Sequence, residues 1–188
     1  MYEMTMTSRS HMIFGIAIAI AAKRFHWTSI ITYGDWWHII PSAMLTSLLP
    51  DIDHPRSLIG QRFKLLSYPI AHIFGHRGFT HSLLAVLVVG YLTFLITKIF
   101  PADVQYGMLI GYISHLTADF LTSAGIPLLW PFPWRFRLPL FHMLTGKTPE
   151  RLLCIILLAL VIVIPSDLVS KFSVINNHLL KRLYVLLY

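Results

Sequence analysis

Of 188 residues, 56% are hydrophobic and only 12% charged, about half the charged share of a soluble domain. That composition excludes an ordinary soluble globule and predicts an integral membrane domain over residues 1–169, followed by an amphipathic surface tail over 170–188. The basic excess, 15 Lys and Arg against 8 Asp and Glu, would suggest nucleic acid in a soluble chain. Here the basic residues sit in loops beside apolar runs, so membrane lipid is the expected partner and no stable nucleic-acid complex is expected.

Five apolar runs mark the predicted helices. Residues 12–22 form the first, with Ser10 as its expected N-cap and Lys23-Arg24 closing it. No small-residue cleavage pattern follows, so it reads as a retained helix and not a signal peptide. Residues 36–49 form the second, with Pro41 in its early turns and Pro50 as its stop. The third, 83–100, is expected as one continuous helix. At that length it would reach about 27 Å, close to the bilayer core of about 30 Å. The fourth, 104–121, contains His115 and Asp119, and the fifth, 152–164, contains the lone Cys154. A single buried cysteine behaves as a small hydrophobe. Between the second and third runs lies a polar, basic loop, 51–82. Between the fourth and fifth lies 122–151, whose Pro and Trp residues suit a membrane interface. The predicted fold is an all-α polytopic bundle of four to five membrane helices.

Alternating helices bring the starts of the odd ones and the ends of the even ones to one side. His11, Asp51, Asp53, His54, His76, His81, His115 and Asp119 then meet at one membrane face. Most of the 15 basic residues fall on that face, which the positive-inside rule assigns to the cytoplasm. Imidazole and carboxylate are the ligands of zinc, manganese or iron. Several of each in one place suit one or two ions working on a phosphoester, where the metal polarises the phosphoryl oxygen and acidifies a water. Arg77 is expected to clamp a phosphate.

Each piece has a plainer reading. His115 and Asp119 are four apart, on one helix face, and can form a simple buried pair. Asp51 to Pro55 can be a helix stop and turn. His11, His76 and His81 can cap helices at an interface. The joint convergence favours metal over these readings. A metal-ion or proton transporter and a non-catalytic scaffold are the competing functions. Transport sites lie near the midplane, whereas these residues lie at helix ends.

The stretches Ser10-His11, Leu49-Pro50-Asp51-Ile52-Asp53-His54-Pro55, His76-Arg77-Gly78-Phe79-Thr80-His81-Ser82 and His115-Leu-Thr-Ala-Asp119 resemble the LexA-regulated, inner-membrane-associated metal-dependent hydrolases of bacteria. That family is distantly similar to the zinc-dependent phospholipases C and the single-strand-specific zinc nucleases. The resemblance implies an inner-membrane hydrolase under DNA-damage (SOS) control, with zinc as its cofactor. It implies His11, Asp51, His81, His115 and Asp119 as ligands. Beside that, the residues themselves offer His54 and His76 as extra ligands, Asp53 as a further ligand or a support behind one, and Arg77 and Asp53 as the expected catalytic groups. The soluble enzymes carry a second His-x-x-x-Asp or Glu pair. After Asp119 this chain has only His142 and His178, neither followed by an acid four on, so one or two ions are expected in place of three.

Overall fold

The computed structural model describes residues 6–96, 98–138, 148–165 and 168. The expected tail, 170–188, and its boundary lie outside the described residues. Within them the protein is all-α. Its helices are α1 (Ser8–Arg24), α2 (Ser29–Tyr33), α3 (Trp36–Thr46), α4 (Leu58–Arg62), α5 (Lys64–Phe74), α6 (Leu83–Leu95), α7 (Ala102–Phe120) and α8 (Pro149–Val163). Two 3-10 turns, Leu49–Asp53 and Phe79–His81, precede α4 and α6. A single antiparallel bridge joins Ile126 to Phe136.

Four local details depart from the sequence reading. Helix α1 begins earlier than expected: Thr7, not Ser10, is its N-cap, with an extended backbone and an oxygen that accepts from the Ser10 amide. Glu150 holds Thr7 there by accepting from its amide at 2.8 Å. His11 is therefore inside the helix. Helix α3 ends at Thr46, before Pro50 can act as its stop; Pro50 instead opens the 3-10 turn. Helix α6 has 13 residues and not 18: it ends at Leu95, where Ile96 caps it with its amide turned to the Leu92 and Phe94 carbonyls. The loop 51–82 is itself partly helical, as α4 and α5. Basic residues spread through this segment mask the apolar spacing of Leu65, Leu66, Ile70 and Ile73.

Among the described residues no helix is both long and apolar enough to cross a membrane by itself. Helix α7 has 19 residues but spends several positions on buried polar groups, namely Gln105, Ser114, His115 and Asp119.

Helix α7 is the centre of the bundle, packed against α1, α3 and α6. Its approach to α3 requires glycine. A Cβ on Gly111 would lie 2.1 Å from the Ala43 carbonyl oxygen, so only a bare backbone fits. The same contact lets Thr46 donate across to the Met108 carbonyl at 2.8 Å. Helix α8 lies on α1. Arg24 donates to the Val161 carbonyl at 2.8 Å, and Lys23 donates to the Ile31 and Thr32 carbonyls at 3.2 and 3.0 Å. These cations satisfy the open carbonyl ends of α8 and α2.

Candidate metal centre

The start of α1, the turn after α3, the turn before α6 and the end of α7 meet at one end of the bundle. His11 comes from α1, Asp51 and Asp53 from the first 3-10 turn, His81 from the second, and His115 and Asp119 from α7. His11, His81, His115 and Asp119 are at most 1% exposed, while Asp51 is 14% exposed. Asp51 is thus the side of the cluster nearest solvent.

The atoms that converge are those able to bind a cation. His81 Nε2 lies 3.3 Å from His115 Nε2, 3.4 Å from Asp119 Oδ2 and 4.0 Å from Asp51 Oδ1. His115 Nε2 lies 3.7 Å from Asp119 Oδ2 and 3.6 Å from Asp51 Oδ1. His11 Nε2 reaches the other Asp119 oxygen, Oδ1, at 3.6 Å, and its ring stacks on His115 at 3.7 Å. Two triads, His81–His115–Asp119 and His11–Asp51–His115, each gather their ligand atoms within 4.8 Å of one another.

Two of the imidazoles, His115 and His81, are turned the right way. His115 Nδ1 lies 2.6 Å from the Ser47 carbonyl oxygen. A carbonyl only accepts, so Nδ1 carries the hydrogen and Nε2 keeps its lone pair for the cluster. His81 Nδ1 faces Asp53 Oδ2 at 3.2 Å, so Nδ1 carries a hydrogen and Nε2 is the nitrogen turned to the cluster, open to a metal once it gives up its own proton. The Asp53 carboxylate is itself held from several sides. It accepts from the Arg77 amide at 2.8 Å, from Thr80 Oγ1 at 2.5 Å, and meets His76 Nδ1 at 3.1 Å. Burial alone would raise the Asp53 pKa, but bonds from His76, His81 and Thr80 outweigh it and hold the group well below the carboxylate range.

Burial likewise opposes charge on His81, but the Asp119 and Asp53 carboxylates outweigh it and raise its pKa to about 9.

Arg77 occupies one flank. Its Nη2 lies 2.7 Å from Asp119 Oδ1, and its Nη1 donates to the Gly125 carbonyl at 3.2 Å. Its backbone has φ +54°, a left-handed conformation that costs a non-glycine residue of order 1–3 kcal/mol. The next residue must be glycine, since a Cβ on Gly78 would sit 1.9 Å from the Phe74 carbonyl oxygen. This turn aims the Arg77 amide at Asp53 and its guanidinium at Asp119.

The donor set passes a simple test of fit. Zinc bonds of about 2.0–2.1 Å place tetrahedral ligand atoms about 3.3 Å apart. The His81–His115–Asp119 triad has edges of 3.3, 3.4 and 3.7 Å. Asp119 Oδ2 is buried with no hydrogen bond, as is His11 Nδ1. Oδ1 of Asp119 has the Arg77 contact, though without hydrogen-bond geometry. An unpartnered buried carboxylate oxygen is costly, and a cation at this point would satisfy it.

Of the residues singled out from sequence, His11, Asp51, His81, His115 and Asp119 are brought together. His54 and His76 are not in either triad: their rings lie 4.7 Å apart, outside the cluster. Asp53 stands behind His81 and is 1% exposed. Sequence reasoning missed Thr80, Tyr112 and Ser47. Tyr112 donates to the Thr80 carbonyl at 2.5 Å. Its position three residues before His115, on the same helical face, was the available signal. Nothing in the sequence marks the Ser47 carbonyl.

Comparison with known proteins gives a consistent setting. A family model described as "YdjM inner membrane protein" matches residues 6–178. The inner membrane protein YdjM of Escherichia coli K12 is 51% identical over 172 residues, covering 90% of this chain and 88% of its own. The protein of the same name from Shigella flexneri matches to the same extent. YvsG of Bacillus subtilis, an uncharacterized protein, is 39% identical over 147 residues, covering 78% of this chain and 86% of its own. No solved structure matches.

Proposed function

The chain belongs to the YdjM inner membrane protein family, and on that premise we propose that it is a metal-dependent hydrolase of phosphoester bonds. It works within the inner membrane as a multi-pass helical bundle, with the site at the cytoplasmic face. The observation that carries this reading is the His81–His115–Asp119 triad, whose edges of 3.3, 3.4 and 3.7 Å match a tetrahedral zinc. Large apolar side chains left exposed on α6 and α8, such as Leu87, Phe94 and Val163, support a lipid setting.

His81, His115 and Asp119 would hold one ion. His11 and Asp51, with His115 between them, would complete it or hold a second. When bound, the metal supplies Lewis acidity and acidifies a water. Nitrogen and oxygen ligands without thiolate leave that acidity undiminished. Asp53 orients His81 and keeps its Nε2 directed inward. Asp51, the most open ligand, marks the side of substrate entry. Arg77 pairs with Asp119 and would clamp a phosphate oxygen where a substrate displaces that contact. The resemblance seen in the sequence adds LexA-controlled expression as part of the same reading.

The test is metal analysis of detergent-purified protein, followed by hydrolysis of a chromogenic phosphodiester with and without added zinc. About one or two equivalents of metal and zinc-dependent turnover are expected. Bound metal without turnover would favour transport instead.

A second reading follows from the Arg77–Asp119 contact at 2.7 Å. That ion pair could neutralise Asp119 unaided and make the cluster a packing device. Protein purified free of metal, with unchanged thermal stability on adding zinc, would establish it.

A further inference from the structure

We propose that the groove between α6 and α7 holds an acyl chain of a glycerophospholipid, so that the phosphoester at its head lies at the metal centre. The assignment of the head rests on the proposed hydrolase; that of the chain does not. The groove has a volume of about 300 Å³ and is lined almost wholly by apolar atoms. Leu83 and Val86 of α6 form one wall, Ile113, Thr117 and Phe120 of α7 the other, and Leu128 closes it. Thr117 is no exception, because its hydroxyl donates to the Ile113 carbonyl on its own helix at 2.8 Å and so leaves its methyl to the groove. A site of this size, at the lower end for ligand pockets, suits a hydrocarbon segment and not a polar head group.

Three features choose the occupant. Leu83 and Ile113 at the rim are 48% and 46% exposed, so in an inner membrane protein the groove opens sideways to hydrocarbon. One end of it lies beside the site. Leu116 and Phe120 of the groove each follow a candidate ligand, His115 and Asp119, by one residue, which places groove and ligands on neighbouring faces of one helix. The segment that closes it is anchored at both ends. The Leu83 amide donates to the Leu128 carbonyl at 2.9 Å, and the Gly125 carbonyl receives Arg77. A chain seated here would have the Arg77 guanidinium and the candidate metal ligands beside its polar end, and a cation held by those ligands would suit a phosphate-bearing lipid and not a neutral one.

The experiment is native mass spectrometry of the full chain in detergent with chelator present, titrated with phosphatidylglycerol. Thr117→Phe fills the groove from an exposed position, and Leu87→Phe adds the same ring at an exposed position of α6 that does not line it. The wild type is expected to bind one lipid more tightly than any later one. Thr117→Phe should weaken that first binding about tenfold, a change well within the loss of a few buried methylenes, and Leu87→Phe should not. Equal binding in the wild type and Thr117→Phe, or equal loss in both variants, overturns the groove. Because no turnover is read, a protein that binds lipid here but hydrolyses nothing would refute the hydrolase and leave the groove standing.

Discussion

Arg77 Nη2 lies 2.7 Å from Asp119 Oδ1, and both side chains are buried. One contact therefore serves two candidate roles of Asp119, as ligand and as counter-ion. Asp119→Asn keeps the shape but removes both, leaving a buried guanidinium without its counter-ion. Breaking a buried pair in this way costs about 3–5 kcal/mol. The expected outcome is loss of bound metal together with a lower thermal midpoint. Adding Arg77→Met should restore most of the midpoint but none of the metal. Metal content per mole and thermal unfolding in detergent, read on both variants, separate the two roles; metal retained in Asp119→Asn would remove it from the site.

Asp53 is predicted to act through His81. Its carboxylate faces His81 Nδ1 at 3.2 Å and takes the Arg77 amide and Thr80 hydroxyl. Asp53→Asn should weaken zinc binding by about 10–100-fold, as loss of a carboxylate behind a histidine ligand does. Competition with a chromogenic chelator measures it. An unchanged affinity would leave Asp53 with a packing role only.

The raised pKa of His81, about 9, sets a pH dependence. A pKa raised on folding stabilises fully below the unfolded value of about 6.5 and loses that stabilisation as pH climbs through the folded value. Metal-free protein should therefore lose thermal stability between pH 6.5 and 9, and His81→Asn should flatten this trend. Zinc competes for the same nitrogen, so its binding at neutral pH should release a proton. Titration of weakly buffered protein with zinc would show the acidification; none would mean His81 is neutral beforehand.

Gly111 is predicted to be irreplaceable. The Cβ of Gly111→Ala would meet the Ala43 carbonyl oxygen at 2.1 Å, and α3 would have to move off α7. Overpacking of this kind costs about 1–3 kcal/mol. The same displacement would carry the Ser47 carbonyl away from His115 Nδ1, now 2.6 Å apart. Stability and zinc affinity should fall together, which is what distinguishes this change from an ordinary destabilising one.

Single-cysteine labelling tests the orientation. Gln61 and Arg135 are both exposed and lie in the two segments that flank the site. Gly60 is unsuitable, since a side chain there would strike the His54 carbonyl. Cysteines at 61 and 135, in a background with Cys154→Ala, should react with an impermeant reagent only from the cytoplasmic side. Labelling from opposite sides would break the bundle arrangement proposed here.

Much of this protein is written in spacing alone. The apolar runs around α1, α3, α7 and α8 locate those helices, because an apolar stripe must be buried wherever it falls. Helix alternation then brings His11, Asp51, His81, His115 and Asp119 to one end, since antiparallel neighbours leave few other choices. What spacing does not contain is direction and distance. That His115 turns Nε2 inward depends on the Ser47 carbonyl, a backbone atom that every residue possesses. That Asp53 stands behind His81 and not beside Asp51 depends on how a five-residue 3-10 turn winds. That Arg77 reaches Asp119 depends on a left-handed backbone and a glycine after it. The extent of α6 and the helices hidden in the 51–82 segment were also decided in three dimensions, by turns and packing that outweigh local propensity. The residue types and their order determine which chemistry is available at this end of the bundle. Only the packed backbone, through contacts a few ångströms long between parts of the chain far apart in sequence, decides which atoms meet to perform it.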